Sequence, residues 1–178
     1  MRHAWLIPAS GIVAISPYAQ VAYCAEYSSV EKAQQTAFPD AVAFEPIVVA
    51  ADAKAAVAES AGRFVVDPRI WRVRGPAGAL GWFIVDEVIG RTELITYALA
   101  LDDHGAVKSL DVLAYRESHG DAIKLPAWRK QFVGKRANDP VRLDTDIRNV
   151  SGATLSCRHV TDGVRRLLLI HERALARG

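Results

Sequence analysis

The residues best placed to do chemistry lie at 149–158, Asn-Val-Ser-Gly-Ala-Thr-Leu-Ser-Cys-Arg. Two hydroxyls, Ser151 and Thr154, flank the small residues Gly152 and Ala153, and a long amphipathic run follows at once. A helix that starts here turns its unpaired N–H groups and the positive end of its macrodipole outward. Gly152 and Ala153 leave room for a bulky anion to reach the backbone, and the hydroxyls add donors. The stretch reads in two ways: as the seat of a phosphate-bearing ligand, or as a plain N-cap in which Ser151 or Thr154 satisfies the first turn.

Other reactive side chains form no working set. Cys157 and His159 are two apart on the same predicted helix and do not face one another. His171 is about 21 Å from Cys157 along a continuous helix, so that pair cannot act together. His3, His104, His119, His159 and His171 show no paired ligand spacing, so no metal site is expected. Asn149-Val150-Ser151 spells a glycosylation sequon, a pattern short enough to arise often by chance.

The elements that must position Thr154 follow from hydrophobic periodicity. Beyond it, Val160, Val164, Leu167, Leu168 and Leu175 mark one face of an amphipathic helix, with Asp162, Arg165, Arg166 and Arg173 on the other. The middle of the chain reads as strands: "IWRVRG", "LGWFIVDEVIG", "LITYALAL" and "VKSLDVLAY" are β-branched and aromatic runs separated by Gly, Pro and Asp. "DDHG" at 102–105 predicts a hairpin turn joining the last two as an antiparallel pair, with Gly105 free to take a positive φ. Nearer the start, a short helix capped by Ser28 or Ser29 ends before Pro39. A strand "AFEPIVVA" follows, then a helix over 51–63 closed by Gly62. Residues 118–150 read as a long irregular segment, in which Trp128 and Phe132 demand burial. The fold class is α+β, an antiparallel sheet with helices packed on it.

The chain of 178 residues is the size of one domain, and its net charge of +2, with no Lys/Arg block, excludes an electrostatic nucleic-acid footprint. Met1-Arg2-His3 followed by "AWLIPASGIVAI" has the basic start and apolar run of a secretion signal. Ala22 and Cys24 supply small residues for cleavage, which predicts a signal peptide at 1–24 and one domain at 25–178. The alternative is an uncleaved anchor or a buried helix. After cleavage Cys157 alone remains, so no internal disulfide is expected.

Three ordered motifs carry a resemblance: "YRESHG" at 115–120, "QFVGK" at 131–135 and "SGAT" at 151–154. The sequence resembles the FMN-binding domain family, which includes flavin subunits of sodium-pumping quinone reductases and Rnf-type electron-transport complexes. Its hallmark is Asp-x-x-Ser/Thr-Gly-Ala-Thr, whose threonine is joined to the FMN phosphate by a phosphodiester made by a separate exported flavin transferase. The resemblance implies FMN as cofactor, Thr154 as the attachment residue, and Ser151, Gly152 and Ala153 beside the phosphate. It implies a ring-side loop of Glu117, Ser118, His119 and Gly120, with Lys135 facing the flavin or phosphate. Within that loop Glu117 is expected to accept a hydrogen bond from the flavin or from a backbone amide.

The resemblance further implies an exported, periplasmic electron carrier rather than a stand-alone enzyme, whose redox partner is in the membrane or itself exported. Arg148 stands where the hallmark has Asp, and Asp146 is the nearest carboxylate; Ser118 and His119 stand where the family loop has Thr-Pro. The alternatives are FMN held without a covalent bond at the same helix start, and a secreted binding or scaffold domain with no cofactor.

Overall fold

The computed structural model describes residues 25–26, 28–117 and 119–176. The expected signal segment at 1–24 and the candidate Ser118 lie outside the described residues.

Strand β1 (Ala25–Glu26) is two residues long and is followed by helix α1 (Val30–Ala37). Ser29 caps α1, its hydroxyl accepting from the Lys32 N–H at 3.2 Å. Strand β2 (Ala43–Ile47) and helix α2 (Ala51–Ala61) come next, α2 closing at Gly62. Four strands then run in succession: β3 (Arg69–Gly75), β4 (Gly78–Ile89), β5 (Leu94–Asp102) and β6 (Val107–Tyr115). All pairings are antiparallel, in the spatial order β1-β6-β5-β4-β3-β2. The predicted Asp-Asp-His-Gly turn joins β5 to β6, with Gly105 at φ 77°.

Period-two alternation divides the sheet's side chains between two layers. On one face, Phe83, Val85, Ala98, Ala100 and Leu113 pack under α1 through Ala33, Ala37 and Phe38. The alanines on both sides let the helix sit close to the sheet. On the other face, Ile84, Val88, Ile95, Tyr97, Leu99 and Leu101 meet the long helix α4 (Thr154–Ile170), whose Val160, Val164, Leu167 and Leu168 are fully or almost fully buried.

The segment expected to be irregular contains short helical turns at Asp121–Lys124 and Lys130–Phe132, with the one-turn helix α3 (Pro126–Arg129) between them. Trp128 and Phe132 are buried, with their rings edge-on at 5.0 Å between centroids. Two aromatic anchors of this size explain how so short a set of turns stays folded against β6.

Helix α4 departs from the one-sided pattern. Arg166, expected on the solvent face, is buried, its guanidinium 5.4 Å from the Phe64 ring and 3.9 Å from Asp86 Oδ2. The cause is α2, which contacts α4 from outside, so that α4 is covered on two sides. Beyond Ile170 the chain widens into a π turn over His171–Leu175. Among the described residues, no helix is long and apolar enough to cross a membrane.

Candidate functional site

Of the two readings of this stretch, helix α4 does not show the N-cap by Ser151 or Thr154. The N-cap residue is Ala153, and among the described residues no side chain accepts a hydrogen bond there. A turn closed by Ala153 N–H on the Val150 carbonyl, 3.0 Å, leads into the helix with Gly152 at φ 81° in its third position. Nothing among the described residues lies within 4 Å of where a Cβ on Gly152 would sit. Ser151, Gly152 and Thr154 are exposed, whereas Ala153 is buried and anchors the turn. The result is a set of helix N–H groups with no side-chain acceptor, open space over a glycine, and two exposed hydroxyls. That donor set suits a phosphate group.

The Thr154 hydroxyl does have one partner. Asn149 Nδ2 donates to Thr154 Oγ1 at 3.1 Å, while Asn149 Oδ1 accepts from the Val150 N–H at 2.8 Å.

The loop leaving β6 is seated against this helix start. Tyr115 is buried; its hydroxyl donates to the His119 carbonyl at 2.5 Å and lies 3.1 Å from Ser156 Oγ in the first turn of α4. Burial pushes the Tyr115 phenol above its ordinary range, although the Ser156 hydroxyl opposes this. Gly120, at φ 87°, completes the contact: a Cβ there would fall 2.8 Å from the Tyr115 hydroxyl, 3.2 Å from Ser156 Oγ and 3.5 Å from Ala153 Cα. Two motifs about thirty residues apart thus meet at a position that only glycine fits. The His119 side chain is exposed. Tyr115 carries the junction, and its signal in the sequence is its place at the head of "YRESHG" and the end of β6.

Glu117 turns to the β4–β5 hairpin loop. Its Oε1 accepts from the N–H groups of Thr92 (2.5 Å) and Glu93 (2.9 Å), and its Oε2 from the Thr92 hydroxyl (3.2 Å). Burial raises its pKa, but the Glu93, Thr92 and Arg91 amides and the Thr92 hydroxyl outweigh this and hold the carboxyl below its ordinary range. Backbone amides are one of the two kinds of partner expected for Glu117. His159 grips the same hairpin from α4, with Nδ1 2.5 Å from the Ile89 carbonyl and 2.9 Å from that of Gly90. Both partners are acceptors, so Nδ1 carries the hydrogen. Neither contact leaves a trace in the sequence, because backbone groups are the partners.

Lys135 is committed to Asp146, Nζ to Oδ2 at 2.8 Å. Asp146 also accepts from the N–H groups of Val141 and Arg142. Burial raises this carboxyl, yet the Arg142 amide and Lys135 together keep it below its ordinary range. Lys135 and Asp146 line a groove of about 570 Å³ together with Trp128, Asn149 and Val150. The Trp128 indole N–H donates to the Arg148 carbonyl at 2.9 Å, and the Arg148 N–H donates to Gln131 Oε1 at 2.8 Å. The Arg148 side chain is exposed. Lys135 is therefore at the groove, with its ammonium already paired.

The chain matches no curated protein. Residues 90–169 match the model of the FMN-binding domain, a stretch that opens at the hairpin glycine beside Glu117 and closes within α4. It contains the 115–120 loop, the Lys135–Asp146 pair and the start of α4, and it supports an FMN-binding domain whose cofactor is FMN.

Proposed function

We propose that the protein is an exported electron carrier in which FMN is joined to Thr154 through a phosphodiester. The observation that carries this reading is the helix start itself: an exposed Thr154 hydroxyl beside uncapped N–H groups and an open Gly152, in a domain that takes FMN. Ser151, Gly152 and Ala153 hold the phosphate end. The backbone of the 119–120 loop, braced by Tyr115, borders the same space. The bound flavin supplies one- and two-electron chemistry at its isoalloxazine, and the chain supplies position and exclusion of water.

Attachment needs a flavin transferase, and turnover needs a redox partner in the membrane or itself exported. Coexpression of the full chain with such a transferase, followed by denaturing gel electrophoresis, tests the bond. A fluorescent flavin band that disappears in Thr154→Val supports it; no band from the parent chain overturns it. Intact mass of the exported protein reports in the same sample whether 1–24 is removed and whether one FMN is added.

One observation favours a second reading, FMN held reversibly at the same place. Arg148 replaces the acidic residue of the family hallmark, and Asp146 is tied to Lys135 and two amides and does not stand in for it. Flavin lost on dialysis under denaturing conditions selects this reading.

A further inference from the structure

We infer that Asn149 is the positioning residue for covalent attachment at Thr154, a role that rests on the phosphodiester reading above. The argument begins one residue earlier. The backbone of Arg148 is pinned from both sides: its N–H donates to Gln131 Oε1 at 2.8 Å, and its carbonyl accepts from the Trp128 indole at 2.9 Å. Trp128 is itself buried against Phe132. Asn149 therefore leaves from backbone that cannot drift. Its carboxamide is then locked at both ends, Oδ1 accepting from the Val150 N–H and Nδ2 donating to Thr154 Oγ1. A donor on Oγ1 occupies one lone pair and fixes the hydroxyl's rotamer. The O–H hydrogen and the remaining lone pair stay available for reaction on an exposed residue.

That orientation matters for one reaction. Free FMN carries no good leaving group on phosphorus, so an alcohol must take FMN from an activated donor, a flavin dinucleotide. The Thr154 Oγ–H bond breaks, its proton passing to the transferase or to solvent, and an Oγ–P bond forms to the FMN phosphorus. The anhydride P–O bond breaks, and its electron pair leaves with the nucleoside monophosphate. Nothing is oxidised or reduced. Holding the nucleophile in line is where Asn149 acts, because misaligned attack on phosphorus is slow.

The test uses the full chain with the transferase and flavin dinucleotide, following covalent FMN by in-gel fluorescence with time. Asn149→Ala is expected to slow attachment about tenfold. Reversible uptake of FMN without the transferase, and the melting temperature, are expected to stay at the parent values. Asn149→Asp keeps the volume and the Val150 contact but has no N–H to give, so it is expected to be slow as well, which covers a folding failure of the alanine variant. Parent-rate attachment in either folded variant overturns the inference. An equal loss of reversible FMN uptake also overturns it, making Asn149 a phosphate ligand. A parent chain that takes no covalent FMN overturns the phosphodiester reading, and the role of Asn149 with it.

Discussion

Helix α4 carries polar residues at its first turn and again at its middle, and the fold treats the two in opposite ways. At the first turn the N–H groups have no side-chain cap, Thr154 is exposed, and the space over Gly152 is open. In the middle, Arg166 is sealed between the sheet and α2, near a buried Asp86 whose Oδ2 accepts from the Tyr97 hydroxyl at 2.6 Å. Asp86 Oδ1 and Arg166 Nε have no hydrogen-bond partner among the described residues. Gly163 gives the Tyr97 hydroxyl its room: a Cβ there would lie 2.3 Å from that oxygen. The middle cluster fixes how α4 sits on the sheet, and the first turn stays open to solvent. Exposure rather than polarity separates the two jobs.

The contrast can be broken at either end, and the largest effect is expected at the first turn. Thr154→Val should abolish covalent FMN altogether while changing stability by no more than about 0.5 kcal/mol, since an exposed position is altered; gel fluorescence and urea melts read the two. A large loss of stability would mean that the first turn is also structural.

At the middle, burial is the main cause that raises the Asp86 carboxyl from 3.8 to about 6, the Tyr97 hydrogen bond and Arg166 opposing it. An acid whose pKa is raised on folding binds more protons in the native state between those values, so it makes stability fall as pH rises from about 4 to 6. The expected size is about 3 kcal/mol. Asp86→Asn should remove that slope, seen as the difference between parent and variant in urea melts across this range. Parallel curves would show that Asp86 titrates normally.

Gly163→Ala should destabilise by about 2 kcal/mol through overpacking on Tyr97, outweighing the helix propensity alanine adds. FMN uptake by the folded fraction should be unchanged. The smallest effect sharpens the contrast most. Ser151→Ala should leave stability within about 0.5 kcal/mol, whereas loss of a working N-cap would remove about 1.

Much of this was legible in the sequence. The strand runs, the Asp-Asp-His-Gly hairpin, the serine cap of α1 and the burial of Trp128 and Phe132 follow from local residue types and period. The FMN-binding domain was visible in three short motifs in order. What was not legible depends on contacts between distant segments. Periodicity shows a single apolar stripe on α4, so it places Arg166 outside; only the packing of α2 on α4 and of Phe64 on Arg166 reverses that. Residue types left the N-cap reading of Ser151 or Thr154 open beside the phosphate one; Gly152 at φ 81° turns the chain so that Ala153 occupies the N-cap. Glu117 and His159 hold backbone groups of the 89–93 segment, and backbone groups are the same in every sequence.

That last pair gives the hairpin between β4 and β5 an unusual dependence. Its amides are held by a residue of the 116–120 loop and its carbonyls by a residue of α4, so three segments close on one small knot. Such a knot opens as a unit or not at all. The amide protons of Thr92 and Glu93 should accordingly exchange with solvent in step with one another, and Glu117→Gln should quicken both together. A flavin bound beside the knot would then sit in surroundings whose breathing is set by two side chains at a distance from its phosphate.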